Sequence, residues 1–253
     1  MNRAAVYVLW LREMKRFIRA KSRIAGALAM PLFFLAFLGI GFKRISVPGM
    51  SGQVDYIQFL VPGILGMSLL FSSTFGGLSV LWDKEFGFLK EIMVAPVKRI
   101  FIVVGRITGG VTTGMIQSVL ILGVSLLMGF RIPSVFTLLL AFLFMFLISV
   151  TFIGLGLIFA SRMKDIQGFS IVMNFVIFPL FFLSGALYPL ENFPFWLRYI
   201  SYLDPLTYGV DGLRAALLGF SSYSSIFDLV MMLAFSSLMV FLGAYFFEKS
   251  ETV

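Results

Sequence analysis

The sequence predicts an all-α integral membrane protein with six transmembrane helices. Of its 253 residues, 60% are hydrophobic and only 13% are charged, whereas about a quarter of the residues of a soluble domain are charged. The charges are also segregated, which leaves six stretches of at least 19 residues without any charge. Since about 20 apolar residues in a helix cross the hydrocarbon core, we expect each stretch to span the membrane. The six stretches are 24–42, 56–82, 107–130, 132–161, 166–190 and 229–247.

The distribution of Lys and Arg predicts that both termini are cytoplasmic. Six crossings put the termini on one side, and with that side inside, the inner segments 1–23, 83–106, 162–165 and 248–253 carry 15 of the 20 basic residues. Basic residues are enriched in cytoplasmic loops. We therefore expect a multi-pass protein of the cytoplasmic (inner) membrane. Its net charge of +8 then reflects topology and contact with anionic lipid, not nucleic acid.

The N-terminal segment 1–23 is predicted to contain a cytoplasmic helix that lies in the membrane interface. A helix over residues 3–19 has a basic face and an opposite apolar face, a pattern typical of interfacial helices. The basic face consists of Arg12, Lys15, Arg16 and Arg19, and the apolar face of Val6, Trp10, Met14 and Phe17. The alternative is a cluster of positive charge that only fixes the orientation of the chain.

The predicted crossings contain few polar groups. Gln117 and Asn174 are the deeply placed amides, and they either form hydrogen bonds between helices or line a substrate path. Pro31 and Pro179 lie within the first and fifth crossings, where neighbouring groups can satisfy the carbonyl that each proline leaves without a donor. Proton-coupled carriers usually have a titratable group at depth, and none of the six stretches contains one. If transport is the function, we expect its energy source to lie outside this polypeptide.

The segment 191–228 is predicted to form two short helices at the outer surface. The first has an apolar face that contains Trp and Tyr, and Pro205 begins the second, which ends near Leu218. Charged residues interrupt both helices, so neither spans the membrane; we expect re-entrant or interfacial half-helices, with an ordinary extracellular loop as the alternative. The apolar faces are Phe195, Trp196, Tyr199, Ile200 and Leu203 in the first helix, and Leu206, Val210, Leu213 and Leu217 in the second. The interrupting charges are Arg198, Asp204, Asp211 and Arg214.

The cytoplasmic segment 83–106 is predicted to contain one short helix that runs through Gly87 and ends at Pro96. Gly87 weakens this helix by roughly 1 kcal/mol, and the residue before a proline leaves the helical region. The helix has an imperfect apolar stripe that needs a partner surface. The apolar side chains of the segment are Phe86, Phe88, Leu89, Ile92 and Met93.

Two parts of the chain resemble the permeases of ABC-2 type transporters. Residues 85–99, Glu-Phe-Gly-Phe-Leu-Lys-Glu-Ile-Met-Val-Ala-Pro-Val-Lys-Arg, resemble the coupling-helix region of that family. Segments 184–190, 193–197, 204–208 and 210–214 are similar to its C-terminal signature. Among subfamilies the chain is most similar to daunorubicin-resistance-type drug exporters. It departs from the pattern at Phe88, where a Thr or Ser commonly follows the glycine.

The resemblance implies that residues 1–253 form a single permease domain with two kinds of partner. One is a separate ATP-binding cassette ATPase, and the other is a second permease copy, in a homodimer or a close heterodimer. ATP and Mg²⁺ would be bound by the ATPase, because this chain has no Gly-x-x-x-x-Gly-Lys-Ser/Thr phosphate loop. The resemblance implies no catalytic residue and no cofactor in this chain. By position, the ATPase would dock on Lys84, Glu85, Gly87, Phe88, Leu89, Lys90, Glu91, Ile92 and Pro96.

These observations favour a permease subunit that exports a hydrophobic or amphipathic drug-like or lipid-like substrate. The alternatives are a permease for polysaccharides or lipid-linked glycans, a secondary carrier or channel without an ATPase, and a membrane enzyme that acts on lipids. The enzyme is disfavoured because the chain has no Cys and no His, which excludes thiolate or imidazole metal sites and His acid–base chemistry. The abundance of Phe and Met suits a hydrophobic substrate and lipid equally well.

Overall fold

The computed structural model describes residues 2–41, 56–87, 99–132 and 134–249, and within these ranges the regular structure is entirely helical. Ten α-helices follow one another within these described ranges, with a short 3₁₀-helix at Leu190–Asn192 between the seventh and eighth. They are α1 (Asn2–Arg19), α2 (Lys21–Gly41), α3 (Tyr56–Gly76), α4 (Leu78–Glu85), α5 (Arg99–Leu127), α6 (Val135–Arg162), α7 (Ile166–Leu183), α8 (Phe195–Ser201), α9 (Pro205–Leu218) and α10 (Ser225–Lys249).

Six segments of the described chain are long and apolar enough to cross a membrane, which confirms the predicted number of crossings and the all-α class. α3 and α4 together make the second of them. Helices α2 and α7 continue through Pro31 and Pro179, as predicted, and α3 also contains Pro62. The six segments are Ile24–Gly41, Tyr56–Glu85, Ile100–Leu127, Phe136–Arg162, Ile166–Leu183 and Ser225–Lys249.

Helices extend into the segment 83–106 from both sides. Residues 83–85 belong to α4, and residues 99–106 form the first two turns of α5. The sequence pattern missed the second extension because Arg106 interrupts the charge-free stretch, and in the fold that charge faces Asp83. The helix predicted to run through Gly87 ends at Glu85, because Gly87 has a φ of +74°, which helical residues do not adopt.

The second crossing is interrupted at Gly77, which the sequence analysis did not predict. α3 ends at Gly76 and α4 begins at Leu78, so the regular α-helix is interrupted for one residue between them. The break packs against α6 at very short range: a Cβ atom at Gly77 would lie 2.5 Å from the carbonyl carbon of Gly156. A Cβ atom at Gly156 would in turn overlap the carbonyl oxygen of Thr74. Small residues allow this approach between membrane helices.

Helix α9 is enclosed by protein, with α3, α6 and α10 as its main neighbours. Its predicted apolar face is buried, and so are Asp211 and Arg214. Glycines again permit the contacts, since Gly209 lies against Ile148 and Gly212 against the ring of Phe144. Charge therefore does not hold α9 at the protein surface, because Asp211 and Arg214 bind polar groups inside the protein.

Helix α8 differs from α9 in that its predicted apolar face is exposed. Phe195 and Leu203 are each 76% exposed and Trp196 is 64% exposed. An exposed aromatic face suits a membrane interface. The re-entrant or interfacial placement of segment 191–228 stays a prediction.

We expect Gly156→Ala to destabilise the protein by about 2 kcal/mol, because the added methyl group overpacks the contact with α3 and α4. The measurement is the thermal unfolding midpoint of the purified protein in lipid nanodiscs. Gly123→Ala is the matched control, since a Cβ atom there would have no neighbour within 4 Å among the described residues. An unchanged midpoint for Gly156→Ala would contradict the packing described.

Candidate functional site

The candidate site lies at the end of the bundle where α1, α4 and the start of α5 meet. Helix α1 packs lengthwise on α5, and glycines at 105 and 109 let the two backbones approach. A Cβ atom at Gly105 would lie 2.9 Å from the Cβ of Leu9, and one at Gly109 would lie 2.9 Å from the Cβ of Glu13. The spacing of four residues puts both glycines on the face of α5 that receives α1.

The apolar face predicted for α1 is turned towards the bundle. Met14 is buried, and the indole Nε1 of Trp10 donates to Thr112 Oγ1 of α5 at 3.1 Å. Because protein covers this face, α1 is held by the bundle as well as by any contact with lipid. Its interfacial placement stays a prediction, and Tyr7, Val8 and Ile18 are the exposed apolar residues that suit such a position.

Part of the basic face of α1 binds α4. Arg12 donates from Nη1 to Asp83 Oδ2 at 2.9 Å and from Nη2 to Oδ1 at 2.5 Å, which makes a bidentate pair. The guanidinium of Arg16 lies 4.1 Å from the centre of the Trp82 ring, within the range of a cation–π interaction. The basic face of α1 therefore contacts α4 as well as its surroundings, so it does not serve only to bind lipid headgroups.

Asp83 also binds α5. Arg106 donates from Nη2 to Asp83 Oδ2 at 2.5 Å and from Nη1 to Ser79 Oγ at 3.3 Å. The side chains of Asp83 and Arg106 are only 6% and 7% exposed, while that of Arg12 is 36% exposed. We call Arg12, Asp83 and Arg106 the Asp83 cluster. It joins three helices through one carboxylate, and the sequence analysis did not identify it.

The predicted docking residues begin immediately after this cluster. Lys84 and Glu85 lie at the end of α4 and are exposed, and so is Gly87. The N–H of Phe86 donates to Trp82 O and that of Gly87 donates to Lys84 O, which closes the helix with glycine in the left-handed conformation. The resemblance implies that Gly87 belongs to the docking surface; in the structure Gly87 forms this turn. The remaining predicted docking residues, Phe88, Leu89, Lys90, Glu91, Ile92 and Pro96, lie outside the described residues.

The two amides that were predicted to line a substrate path lie in different environments. Gln117 of α5 is 5% exposed and lines a cavity between α1, α2, α3 and α5. Asn174 of α7 is exposed on the surface of the bundle. The structure therefore does not bring the two together, and only Gln117 faces an enclosed space.

The segments with the C-terminal signature meet at the opposite end of the bundle. Arg214 of α9 donates from Nη2 to the carbonyl oxygens of Gly185 at 2.6 Å and Ala186 at 3.3 Å. Its guanidinium also lies 3.9 Å from the centre of the Phe59 ring of α3. The signature motif at 210–214 is thus bound to the one at 184–190.

The two carboxylates of signature segments 204–208 and 210–214 stabilise α9 and the turn that follows it. Asp204 caps the helix by accepting from the N–H of Leu206 at 2.9 Å. Asp211 accepts from the backbone N–H groups of Ser222 and Tyr223 at 2.9 and 2.8 Å, and so holds the turn into α10. Burial raises the pKa of the Asp211 carboxyl, and these two donors oppose the rise. The roles of these residues are structural.

The fold and the Asp83 cluster define a multi-pass helical membrane protein in which one polar cluster ties an N-terminal helix to the end of α4 and the start of α5. A family model described as ABC-2 type transporter matches residues 4–218, from α1 to the end of α9. This chain belongs to the ABC-2 type transporter family. The match confirms the family that the sequence resembles, and the matched range includes both the docking segment and the C-terminal signature.

Three relatives show how far the similarity extends. The inner membrane transport permease YadH of Escherichia coli strain K12 is 30% identical over 246 residues, which cover 96% of this chain and 91% of YadH. The putative transport permease ycf38 of Cyanophora paradoxa is 29% identical over 228 residues, or 87% of this chain and 78% of that protein. The probable multidrug ABC transporter permease YbhR of Escherichia coli strain K12 is 26% identical over 164 residues, or 63% of this chain and 43% of YbhR.

We expect Asp83→Asn to destabilise the protein by about 3 kcal/mol, because it leaves the buried guanidinium of Arg106 without its counter-charge. Glu85→Gln, two residues along at the exposed end of the same helix, should change stability by no more than about 0.5 kcal/mol. Thermal unfolding of both variants in nanodiscs is the measurement. Equal stability of the two variants would mean that the Asp83 cluster does not hold the three helices.

Proposed function

We propose that this chain is the membrane-spanning permease subunit of an ATP-binding cassette exporter of the cytoplasmic (inner) membrane. It moves a hydrophobic or amphipathic substrate outward, and ATP is hydrolysed on a separate subunit. The observation that carries the proposal is the Asp83 cluster. It ties α1, α4 and α5 together near the end of α4 and the start of α5, the two helices that the segment 86–98 connects. A force applied to that segment would therefore act on three helices at once.

The segment 86–98 is where we propose that the ATPase docks. Phe86, at its described end, is 80% exposed, and the sequence continues with the apolar residues Phe88, Leu89 and Ile92. Apolar side chains supply contact area to a partner, whereas the flanking Lys and Glu residues set register and specificity. The sequence contains no phosphate loop, which supports the assignment of ATP and Mg²⁺ to the partner.

We further propose that two permease copies work together and that both termini of each copy face the cytoplasm. The excess of Lys and Arg on the α1 end supports this orientation. The name of YbhR includes the word multidrug, which favours a small hydrophobic substrate over a polysaccharide. The name of YadH includes the inner membrane, in agreement with the proposed location.

Co-purification tests the proposed partner. We expect the affinity-tagged chain, expressed in its native host and solubilised mildly, to recover a subunit that carries a phosphate loop and hydrolyses ATP. Leu89→Asp should reduce the amount of that subunit recovered at least tenfold while leaving membrane insertion unchanged, because a charge replaces an apolar contact at the docking surface. Leu127→Asp is the matched control, since Leu127 is 89% exposed at the last residue of α5, far from the docking segment.

Two outcomes of that experiment would contradict the docking assignment. One is full recovery of the ATPase with Leu89→Asp. The other is an equal loss with Leu127→Asp, which would point to a general effect of an added charge. Recovery of no ATPase with the unmodified chain would overturn the proposal of an ATP-driven exporter and favour a carrier that works alone.

Single cysteines test the orientation, because the natural chain has none. We expect Glu85→Cys to react with a membrane-impermeant maleimide only in inverted vesicles, and Ser224→Cys to react in intact cells. Both positions are exposed, Glu85 at the end of α4 and Ser224 in the turn before α10. The reverse pattern of labelling would invert the topology and place the docking segment outside.

A further inference from the structure

A cavity of about 410 Å³ lies beside the Asp83 cluster, between α1, α2, α3 and α5. Its volume falls within the roughly 300–1,000 Å³ of small-molecule sites. The α2 wall contains Gly26 and Met30, both of which are exposed, so the cavity reaches the surface of the bundle. It extends along the half of the bundle that is next to α1, since Glu13 and Phe17 of α1 line one end.

One wall of the cavity is polar and is built from two matched pairs of residues. Ser68 and Ser72 lie one turn apart on α3, and Thr113 and Gln117 lie one turn apart on α5. The spacing of four residues puts each pair on a single helix face. Each pair lines the same space, so the hydroxyl and amide groups form a polar strip in an otherwise apolar cavity.

Three atoms of this strip have no hydrogen-bond partner within the described part of the chain. They are Ser68 Oγ, Ser72 Oγ and Gln117 Oε1, and all three are buried. Ser68 is 3% exposed and Gln117 is 5% exposed. A buried polar atom without a partner destabilises the fold, and a ligand that donates a hydrogen bond to Gln117 Oε1 removes that cost.

Two further residues that line the cavity contain acceptor groups. Pro31 has no N–H, so the carbonyl of Ala27, another lining residue, lacks its usual donor four residues along the helix. Glu13 contributes a carboxylate at the α1 end. Arg16 approaches it only to 4.0 Å and lies over the Trp82 ring, so the carboxylate keeps capacity to accept from a ligand.

The lining of the cavity contains an acidic residue and no basic one among the described residues. The acidic residue is Glu13. The rest of the surface is apolar and includes the rings of Phe17, Phe71 and Phe75. Aromatic faces attract cations, whereas an anion would meet the carboxylate of Glu13.

We propose that this cavity binds a hydrophobic molecule that carries a protonated amine. The ammonium donates to Gln117 Oε1 and to the carboxylate side of the cavity, and the apolar body lies against the phenylalanines. Entry is lateral, along α2. As a step of transport this site rests on the proposed function, but as a binding site it requires no ATPase.

Binding of three matched fluorescent probes tests the proposal. The probes share a dansyl group on a short alkyl chain that ends in an ammonium, an acetamide or a carboxylate. The full chain is placed in nanodiscs of zwitterionic lipid, and empty nanodiscs report partition into lipid. We expect saturable binding in the order ammonium, acetamide, carboxylate, with the carboxylate probe at least tenfold weaker than the ammonium probe.

Substitutions then locate the bound probe. Gln117→Leu, which removes the amide acceptor at nearly constant size, should weaken the ammonium probe about tenfold. Asn174→Leu is the matched control, because it makes the same change on the exposed surface of α7, and it should leave the affinity unchanged. Glu13→Gln should weaken the ammonium probe more than the acetamide probe, which separates charge from hydrogen bonding.

Protection from labelling gives a second measure of position. In the cysteine-free chain, the ammonium probe should slow the reaction of Thr113→Cys with a maleimide at least threefold and leave that of Asn174→Cys unchanged. Absence of saturable binding, a preference for the carboxylate probe, or equal effects at Gln117 and Asn174 would each overturn the proposal. None of these results would change the outcome of the ATPase co-purification. The proposed binding site and the proposed function can therefore be refuted independently.

Discussion

The carboxylate of Asp83 is the interaction on which the α1 end of this protein depends. Burying an ion pair is costly unless the geometry is good and the remaining polar atoms are satisfied. Here both oxygens are used, Oδ1 by Arg12 and Oδ2 by Arg12 and Arg106. Because the two arginines come from α1 and α5, one side chain of α4 fixes the relative positions of three helices.

This arrangement bears on the segment that leaves α4 and returns in α5. Glu85 ends α4 two residues after Asp83, and Gly87 turns the chain away from the helix axis. Arg106 lies in the second turn of α5, shortly after the segment returns. Both ends of the segment are therefore anchored near one carboxylate, so a displacement of the segment is opposed by, or transmitted through, the Asp83 cluster.

The cavity lies on the same anchored elements. Glu13 and Phe17 follow Arg12 on α1, and Gly76 lies at the end of α3, immediately before the break that leads to Asp83. A movement of α1, which contributes Glu13 and Phe17 to the lining, would therefore change the shape of the cavity. In the proposed exporter, this shared wall would couple force at the docking segment to the affinity of the cavity for its ligand.

The membrane-spanning part of the fold could be predicted from the sequence because it depends on a property of single segments. A stretch without charge that is long enough to span must do so, and the six predicted stretches correspond to the six segments found. The break at Gly77 escaped this reasoning, since a glycine in an apolar stretch carries no sign of which backbone approaches it. The contact with Gly156 that explains the break joins residues 79 positions apart.

Only the features of the candidate site that depend on residues close together in the sequence could be predicted. The exposed end of α4 and the location of Gln117 follow from the pattern of charged and apolar residues near them in the sequence. The partners of Asp83 do not, because glycine contacts that composition alone does not reveal bring α1 and α5 together. The same reason explains α9. The sequence does not show that Arg214 binds two carbonyl groups of the turn after α7, or that Asp211 binds two N–H groups of the turn before α10.

Helix α9 therefore follows the same rule as the Asp83 cluster at the other end of the bundle. Where water does not reach, a polar side chain is tolerated when it binds polar groups of a neighbouring element, and in doing so it fixes that element. Arg214 fixes the turn at Gly185 against α9, and Asp83 fixes α1 and α5 against α4. Arg106 Nε and Arg214 Nε also lack partners within the described chain, but the unpartnered atoms of the strip that contains Gln117 belong to residues that line a cavity. The space in front of them is the physical reason to assign them to a ligand.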